Sequence, residues 1–140
     1  MRGGIHHIDL TVKDAPASRA FYESVLGFMG YTLSKGKPFS AEETGFDFDL
    51  RNGDIFCSIG ILSARGENAG RAHDRYAPGL HHVAWMAASR EDVDAMHAHL
   101  QSIGATVLDP PADYPQYGEG YYAVFFADPD GLKLEYVFKP

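Results

Sequence analysis

Residues 121–137 read YYAVFFADPDGLKLEYV, a pattern that predicts two strands joined by a tight turn. The turn falls on residues 128–131, because Pro129 fixes φ and Gly131 tolerates a positive φ. Side chains alternate between the two faces of a strand, so Glu135 points away from its leucine and tyrosine neighbours. A carboxylate in the middle of a strand is disfavoured unless water or a cation compensates its charge. The pattern therefore indicates that Glu135 has a cationic partner.

The chain contains an internal repeat. The segment GIHHIDL at residues 4–10 returns 75 positions later as GLHHVAW at residues 79–85, and the apolar positions of the following helix keep the same offset. Each half has the predicted element order β-α-β-β-β. We therefore expect one domain, 1–140, built from two modules at roughly 1–62 and 79–140, joined by the polar, glycine-rich loop 63–78.

Local signals set the limits of several elements. Residues 5–12 alternate in polarity as a half-buried strand does, and Asp14 is the expected N-cap of the helix that follows. Ser89 is the expected N-cap of the second helix. Residues 109–120 contain three prolines and two glycines, so we expect a long irregular loop there.

Composition excludes several classes of protein. The chain has 140 residues, of which 45% are hydrophobic, enough for the core of one ordinary domain. A net charge of -7 argues against a nucleic-acid or anionic-membrane partner. No apolar run approaches the roughly 18–20 residues of a membrane span. With one cysteine, Cys57, and a start that lacks the features of a signal peptide, a cytoplasmic location is expected.

Each half opens with a His-His pair, and only one histidine of a pair can face a cavity. The apolar residues of the first strand should pack under a helix, which leaves His7 on the other face and, by the repeat, His82 as well. His6 and His81 are then structural or support the ligands. Two imidazoles and the carboxylate of Glu135 are the donors of a facial metal triad with open positions. The sequence thus predicts a site for one divalent ion: Fe, Mn, Ni or Zn.

The two His-His strand openings, the helix segment FYESVLGF at residues 21–28 and the segment DPDGLKLE at residues 128–135 resemble the vicinal oxygen chelate superfamily. That superfamily includes glyoxalase I, bleomycin-resistance proteins, fosfomycin-modifying enzymes and extradiol dioxygenases. The resemblance implies an α+β fold in which two tandem βαβββ modules have mixed sheets curled around a central cavity. It also places His7, His82 and Glu135 at the metal-ligand positions.

One departure from this pattern concerns the fourth ligand of glyoxalase I. Counted from the turn glycines, its place falls on Cys57, or on Ser58 if the register slips by one residue. Neither is the carboxylate or amide-type ligand that the family pattern has there. The resemblance therefore implies three protein ligands and exchangeable positions, where a substrate binds through two neighbouring oxygens.

The sequence is compatible with two functions. The first is a metal-dependent enzyme, lyase or dioxygenase-like, acting on a small substrate, with Tyr122 as a possible proton donor because it begins the strand beside that of Glu135. The second is a metal-free protein that sequesters a small molecule, as bleomycin-resistance proteins do, with Trp85 and the tyrosine-rich segment 114–122 as stacking surface. The chain has no nucleotide-binding motif. A homodimer is expected in either case, since pairing protects strand edges.

Overall fold

The computed structural model of the protein describes residues 3–34 and 44–140. The chain divides into two compact units, Met1–Arg71 and Ala72–Pro140, here called the first and second unit. The described residues form one four-stranded sheet and one α-helix in each unit, in the order β-α-β-β-β. The fold is therefore α+β with two tandem βαβββ modules, as the sequence predicts.

The first unit contains a mixed sheet. Its elements are β1 (His7–Val12), α1 (Ala15–Phe28), β2 (Thr32–Leu33), β3 (Gly45–Asn52) and β4 (Ile55–Ser63). The strand order is β1-β4-β3-β2, in which β1 and β4 are parallel and the other pairs are antiparallel. Leu10 and Val12 are buried and alternate with the exposed Asp9 and Thr11, so β1 has the half-buried pattern that the sequence predicts, although it begins two residues later.

The second unit repeats this arrangement. Its elements are β5 (Val83–Met86), α2 (Arg90–Ser102), β6 (Thr106–Asp113), β7 (Tyr122–Ala127) and β8 (Lys133–Phe138). The strand order is β5-β8-β7-β6, and only the β5–β8 pair among these four strands is parallel. The hairpin predicted from residues 121–137 is thus β7 and β8. In its turn, the Asp128 carboxylate accepts hydrogen bonds from the backbone of Asp130 and Leu132, and Gly131 has φ +87°.

Both helices begin at the predicted caps. The Asp14 carboxylate accepts a hydrogen bond from the backbone N–H of Ala17 at 3.0 Å, and the Ser89 hydroxyl accepts one from Asp92 at 3.2 Å. Asp92 in turn accepts from the hydroxyl of Tyr136 on β8 at 2.6 Å. This bond ties the start of α2 to the centre of the second sheet.

The expected loop 109–120 is wrong in its first half. Residues up to Asp113 belong to β6, which pairs with β7 through two register shifts, and only residues 114–121 connect the strands, with a short 3-10 turn at Pro115–Tyr117. Pro110 and Pro111 fit because β6 is the edge strand of its sheet, where a missing N–H interrupts no second neighbour. The loop 63–78 likewise contains one 3-10 turn, Gly66–Asn68. Within the described ranges, neither helix has the length and apolar character needed to cross a membrane.

Strand pairing shows which residues of the two units correspond. In the first unit Asp9 pairs with Gly60, and in the second unit Ala84 pairs with Glu135. Both members of the second pair lie 75 positions after their counterparts, which is the offset found in the sequence. Gly60 is therefore the structural counterpart of Glu135.

Candidate functional site

Glu135 is the most unusual residue of the second sheet. It lies on β8, a central strand, between Leu134 and Tyr136, which face α2, so its side chain points to the opposite face, here called the open face. Its exposure is only 2%. A carboxylate buried this deeply requires hydrogen bonds or a cation to offset its lost hydration.

Each oxygen of this carboxylate has a partner in the second unit. The hydroxyl of Tyr121 donates to Oε1 at 2.5 Å, and Nε2 of His82 lies 3.3 Å from Oε2. Burial, followed by the hydrogen bond to Glu135, raises the pKa of Tyr121 well above its ordinary value. Tyr121 therefore keeps its proton at neutral pH and serves Glu135 as a permanent donor.

Aromatic rings surround Glu135 on the open face. Phe125 pairs directly with Glu135 across the β7–β8 ladder, and the Tyr114 ring meets Phe125 edge-on with 5.2 Å between centroids. Tyr117 stacks on Tyr114 at 5.9 Å and contacts Tyr121 at 5.4 Å. We call Tyr114, Tyr117, Tyr121 and Phe125 the aromatic wall. It gives the carboxylate an apolar surrounding and leaves Tyr117, 57% exposed, at its outer end.

A cation also lies on this wall. The Lys133 ammonium is 4.0 Å from the centroid of the Phe125 ring, within the range of a cation–π contact. Lys133 is two residues from Glu135 on β8 and shares its face. The open face of the second unit thus combines one buried carboxylate, one imidazole, one ammonium group and a set of aromatic rings.

Tyr122 faces the other way. Its hydroxyl donates to Asp94 of α2 at 2.7 Å, and the Arg90 guanidinium lies over its ring at 3.8 Å. Tyr122 does begin the strand beside that of Glu135, but alternation along the strand turns its side chain toward the helix. The tyrosine that contacts Glu135 is its neighbour Tyr121, which lies one residue before β7. The sequence predicts correctly that Tyr122 begins this strand, but the prediction does not take into account which face of the strand each tyrosine occupies.

The two histidines of the second pair contact each other. Nδ1 of His81 lies 2.7 Å from Nδ1 of His82, and the rings meet edge-on at 4.9 Å. Desolvation, followed by the charge of His82, lowers the pKa of His81. The lowered pKa favours the neutral form of His81, while Nε2 of His82 is directed at Glu135.

The first unit places the same histidine pair on an acidic face. His7 lies on the face of β1 opposite to the buried Leu10 and Val12, here called the open face of the first sheet, and Nδ1 of His6 lies 3.1 Å from its Nδ1. The carboxylate of Asp9 occupies the space that a β-carbon at Gly60 would need, and Asp47 Oδ1 is 3.2 Å from the same point. Burial, with Asp9 and Asp49 as further causes, raises the pKa of Asp47.

This arrangement corrects the counting used for the fourth ligand. Cys57 pairs with Leu50, and Ser58 pairs with His7, but the counterpart of Glu135 is Gly60. Counting from the turn glycines fails because β4 runs five residues from Ile55 before it reaches this position, whereas β8 runs only two residues from Lys133. Since glycine has no side chain, the first unit offers no ligand at the position that Glu135 occupies in the second.

Two of the three predicted metal ligands, His82 and Glu135, thus lie together, while His7 belongs to the first unit. The described residues contain no group of three or more His, Cys, Asp or Glu side chains gathered closely enough to hold an ion. The chemistry of the His82–Glu135 pair nevertheless fits a divalent cation. Ligand atoms bound about 2.0–2.2 Å from Zn²⁺ at tetrahedral angles lie about 3.4 Å apart, close to the observed 3.3 Å.

Comparison with known proteins gives consistent matches along the whole chain. The family model of the Glyoxalase/Bleomycin resistance protein/Dioxygenase superfamily matches residues 4–136. The uncharacterized protein YqjT of Bacillus subtilis is 34% identical over 95% of this chain and 97% of its own. A candidate glyoxalase from Bacillus halodurans superposes with a TM-score of 0.77 at 27% identity, covering 99% of this chain and 97% of its own.

A further solved structure carries a metal. A variant of the fosfomycin resistance protein FosX from Listeria monocytogenes was crystallised with Mn(II) and 1S,2S-dihydroxypropylphosphonic acid. It superposes on this chain with a TM-score of 0.66 at 20% identity, covering all of this chain and 95% of its own. That likeness is one of fold.

Proposed function

Because the chain belongs to the glyoxalase/bleomycin resistance protein/dioxygenase superfamily, we propose that it is a divalent-metal-dependent enzyme. Its substrate is a small molecule that binds through two neighbouring oxygen atoms, and its reaction is that of a lyase or is dioxygenase-like. The proposed protein ligands are His7, His82 and Glu135, and the ion is Fe, Mn, Ni or Zn. FosX, which has the same fold, was crystallised with Mn(II).

One observation supports this proposal most strongly: the carboxylate of Glu135 is 2% exposed and faces the Nε2 atom of His82. A structural role does not explain it well, because a leucine at this position would pack on the aromatic wall without any desolvation cost. A bound cation offsets that cost and uses both groups as donors. In superfamily sites of this type the ion supplies Lewis-acid stabilisation of negative charge on the substrate oxygens.

The other residues of the open face also have roles in the proposed site. Tyr121 occupies Oε1 of Glu135, so the carboxylate offers Oε2 on the side of His82. The aromatic wall excludes water from the carboxylate and gives a flat surface to an apolar substrate group. Lys133 adds a positive charge that suits an anionic substrate group. In this proposal the tyrosine that serves the site is Tyr121, in place of Tyr122.

The first test is metal content. Protein purified without chelator should carry about one divalent ion per chain. His82→Ala and Glu135→Gln should lose it, whereas His73→Ala, which changes an exposed histidine of the same unit, should keep it. Metal-free wild-type protein that also fails to take up Mn(II), Fe(II), Ni(II) or Zn(II) in titration calorimetry would overturn the proposal.

A second candidate function is metal-free sequestration of a small aromatic compound. The observation that favours it is the aromatic wall, whose stacked Tyr114 and Tyr117 rings resemble the surfaces that bind planar ligands. The two functions separate in one experiment. Ligand binding that is unchanged by EDTA favours sequestration, while binding that EDTA abolishes and added metal restores favours the enzyme.

A further inference from the structure

The two units differ by a reciprocal exchange at one position of their parallel ladders. In the second unit Ala84 of the edge strand β5 pairs with Glu135 of the central strand β8. In the first unit the equivalent pair is Asp9 of the edge strand β1 and Gly60 of the central strand β4. Each pair therefore contains one carboxylate and one small residue, but the carboxylate lies on opposite members of the pair.

The carboxylate of Asp9 explains the glycine beside it. Glycine weakens the interior of a strand, and it often marks a place where another group approaches the backbone closely. The backbone of Gly60 does not itself require glycine, because its φ is not positive. A β-carbon at Gly60 would instead collide with Oδ1 of Asp9 and lie only 3.1 Å from its Cγ. Gly60 thus leaves room for the Asp9 carboxylate to lie over β4.

The Asp9 carboxylate is available to a ligand on the open face of the first sheet. Among the residues that the structure describes, none donates a hydrogen bond to this carboxylate or forms an ion pair with it. His7 lies two residues earlier on β1 and therefore extends from the same face as Asp9. The first unit thus presents one imidazole and one carboxylate, as His82 and Glu135 do in the second unit.

We propose that Asp9 is a fourth protein ligand of the divalent ion and replaces the side chain that Gly60 lacks. Sequence counting along β4 misses this ligand, because it comes from the neighbouring strand. Each unit then supplies two donors, which agrees with the absence of any group of three or more such donors in the described part of the chain. This inference deepens the proposed function and rests on it for the ion and for the ligands His7, His82 and Glu135.

A second carboxylate changes the charge and the chemical character of the ligand set. Glu135 alone leaves a divalent ion with a net positive charge, whereas Glu135 and Asp9 together balance it. Carboxylate oxygens are ligands that suit Mn(II), while imidazole suits Zn, Fe and Ni. Mn(II) is therefore the most sensitive probe of the contribution of Asp9.

The first test measures the affinity of the full chain for Mn(II) by competition with a chelator. Asp9→Ala introduces the residue that the second unit has at this position, and it should weaken binding at least about 10-fold, because the loss of even an outer-shell partner typically costs that much. Asp49→Ala removes the same charge from the same face of β3 and should bind like the wild type. Equal affinity in the wild type and in Asp9→Ala would overturn the inference. Asp9→Asn, of the same size, gives the same comparison if Asp9→Ala does not fold.

The second test moves the carboxylate back to the central strand. The double variant Asp9→Ala, Gly60→Glu reproduces in the first unit the pair that Ala84 and Glu135 form in the second. Beyond Asp9, the atom nearest to the new β-carbon is Oδ1 of Asp47 at 3.2 Å, the end of a side chain that can turn away. The double variant should bind Mn(II) more tightly than Asp9→Ala. A folded double variant that binds no better than Asp9→Ala would refute the equivalence of the two ladder positions.

Water-proton relaxation of the Mn(II)-loaded protein separates a ligand from a nearby charge. Loss of a ligand opens a position for water, so relaxation per bound ion should increase in Asp9→Ala and stay unchanged in Asp49→Ala. Mn(II) binding that is lost in His82→Ala but unaltered in affinity and relaxation in Asp9→Ala would overturn this inference while the proposed function stands. Wild-type protein that binds no divalent ion would refute the proposed function, and the inference with it.

Discussion

Tyr121 and Tyr122 are adjacent, yet their hydroxyls serve opposite faces of the second sheet. Tyr121 donates to a carboxylate that is 2% exposed, whereas Tyr122 donates to Asp94 at the surface of α2. Removing a hydrogen-bond donor lowers the free energy of unfolding more when the acceptor that loses its partner is buried. The two hydroxyls therefore form a matched pair for mutation.

We predict that Tyr121→Phe lowers the free energy of unfolding of the metal-free protein by about 1–3 kcal/mol, because Oε1 of Glu135 loses its donor inside the protein. Tyr122→Phe should cost only about 0.5 kcal/mol, since water can replace its hydroxyl at Asp94. Urea denaturation in EDTA measures both values. Equal losses in the two variants would show that Tyr121 does not compensate Glu135.

The sequence predicts the need for a partner at Glu135 but not the identity of every partner. Glu135 stands out because a carboxylate in an apolar strand requires compensation, and that expectation depends on periodicity alone. The contact with His82 agrees with the repeat of the His-His openings. Tyr121 could not be selected over Tyr122 from sequence, because the two differ only in which side of one strand they occupy.

At the scale of the element, β6 and β4 mark the limits of sequence-based prediction. Prolines predict a break, but the edge position of β6 lets Pro110 and Pro111 remain in a strand, and edge position is a property of the finished sheet. In β4 a count from the turn selected Cys57, while pairing with β1 selects Gly60 as the counterpart of Glu135. The count failed because β4 has three more residues than β8 between its start and this position, and the length of a hairpin arm is set by its pairing partner.

The open face of the first sheet gives a pH-dependent prediction. Burial and the carboxylates of Asp9 and Asp49 raise the pKa of Asp47 in the folded protein above its usual 3.8. As pH rises above 3.8 the unfolded chain releases this proton first, so the folded state becomes relatively less stable until its own pKa is passed. The destabilisation of the folded state by the ionised Asp47 is then fully present at neutral pH.

Asp47→Asn should therefore raise the free energy of unfolding by about 0.2–1 kcal/mol at pH 7, the range for like charges opposed on a sheet. The gain should vanish below about pH 3.8, where the wild-type carboxyl is protonated in both states. Asp54→Asn, in the exposed turn between β3 and β4, is the control and should show a smaller difference. A gain for Asp47→Asn that persists in acid would refute the electrostatic cause.

For the whole molecule we predict a homodimer, on the basis of strand edges. β5 is at the edge of the second sheet, and Met86 on that strand is 90% exposed. Light scattering should give twice the chain mass of 15.4 kDa. Met86→Lys should shift the mass toward that of one chain, whereas Ile55→Lys, at an exposed residue of the first unit, should not. A monomer at micromolar concentration would contradict the prediction.

The duplicated plan was predictable at this scale because its offset of 75 residues holds from the first strand to the last ladder. The boundary between the two halves was less predictable than the repeat itself, because composition alone indicated a connector at residues 63–78. Along the chain, the boundary between the compact units falls between residues 71 and 72, inside that stretch.

The Tyr76 ring contacts His81 at 5.9 Å, and the Arg75 guanidinium lies 4.9 Å over the Tyr76 ring. The boundary between the two units therefore matters for recombination between relatives. A chimera in which the second half starts at Gly79 would bring β5 without the arginine and tyrosine that hold its histidine pair. A crossover between residues 71 and 72 transfers them together. Gene fusions that exchange halves of such proteins should therefore be spliced ahead of the supporting pair, even though an alignment of the two repeats would place the seam several residues later.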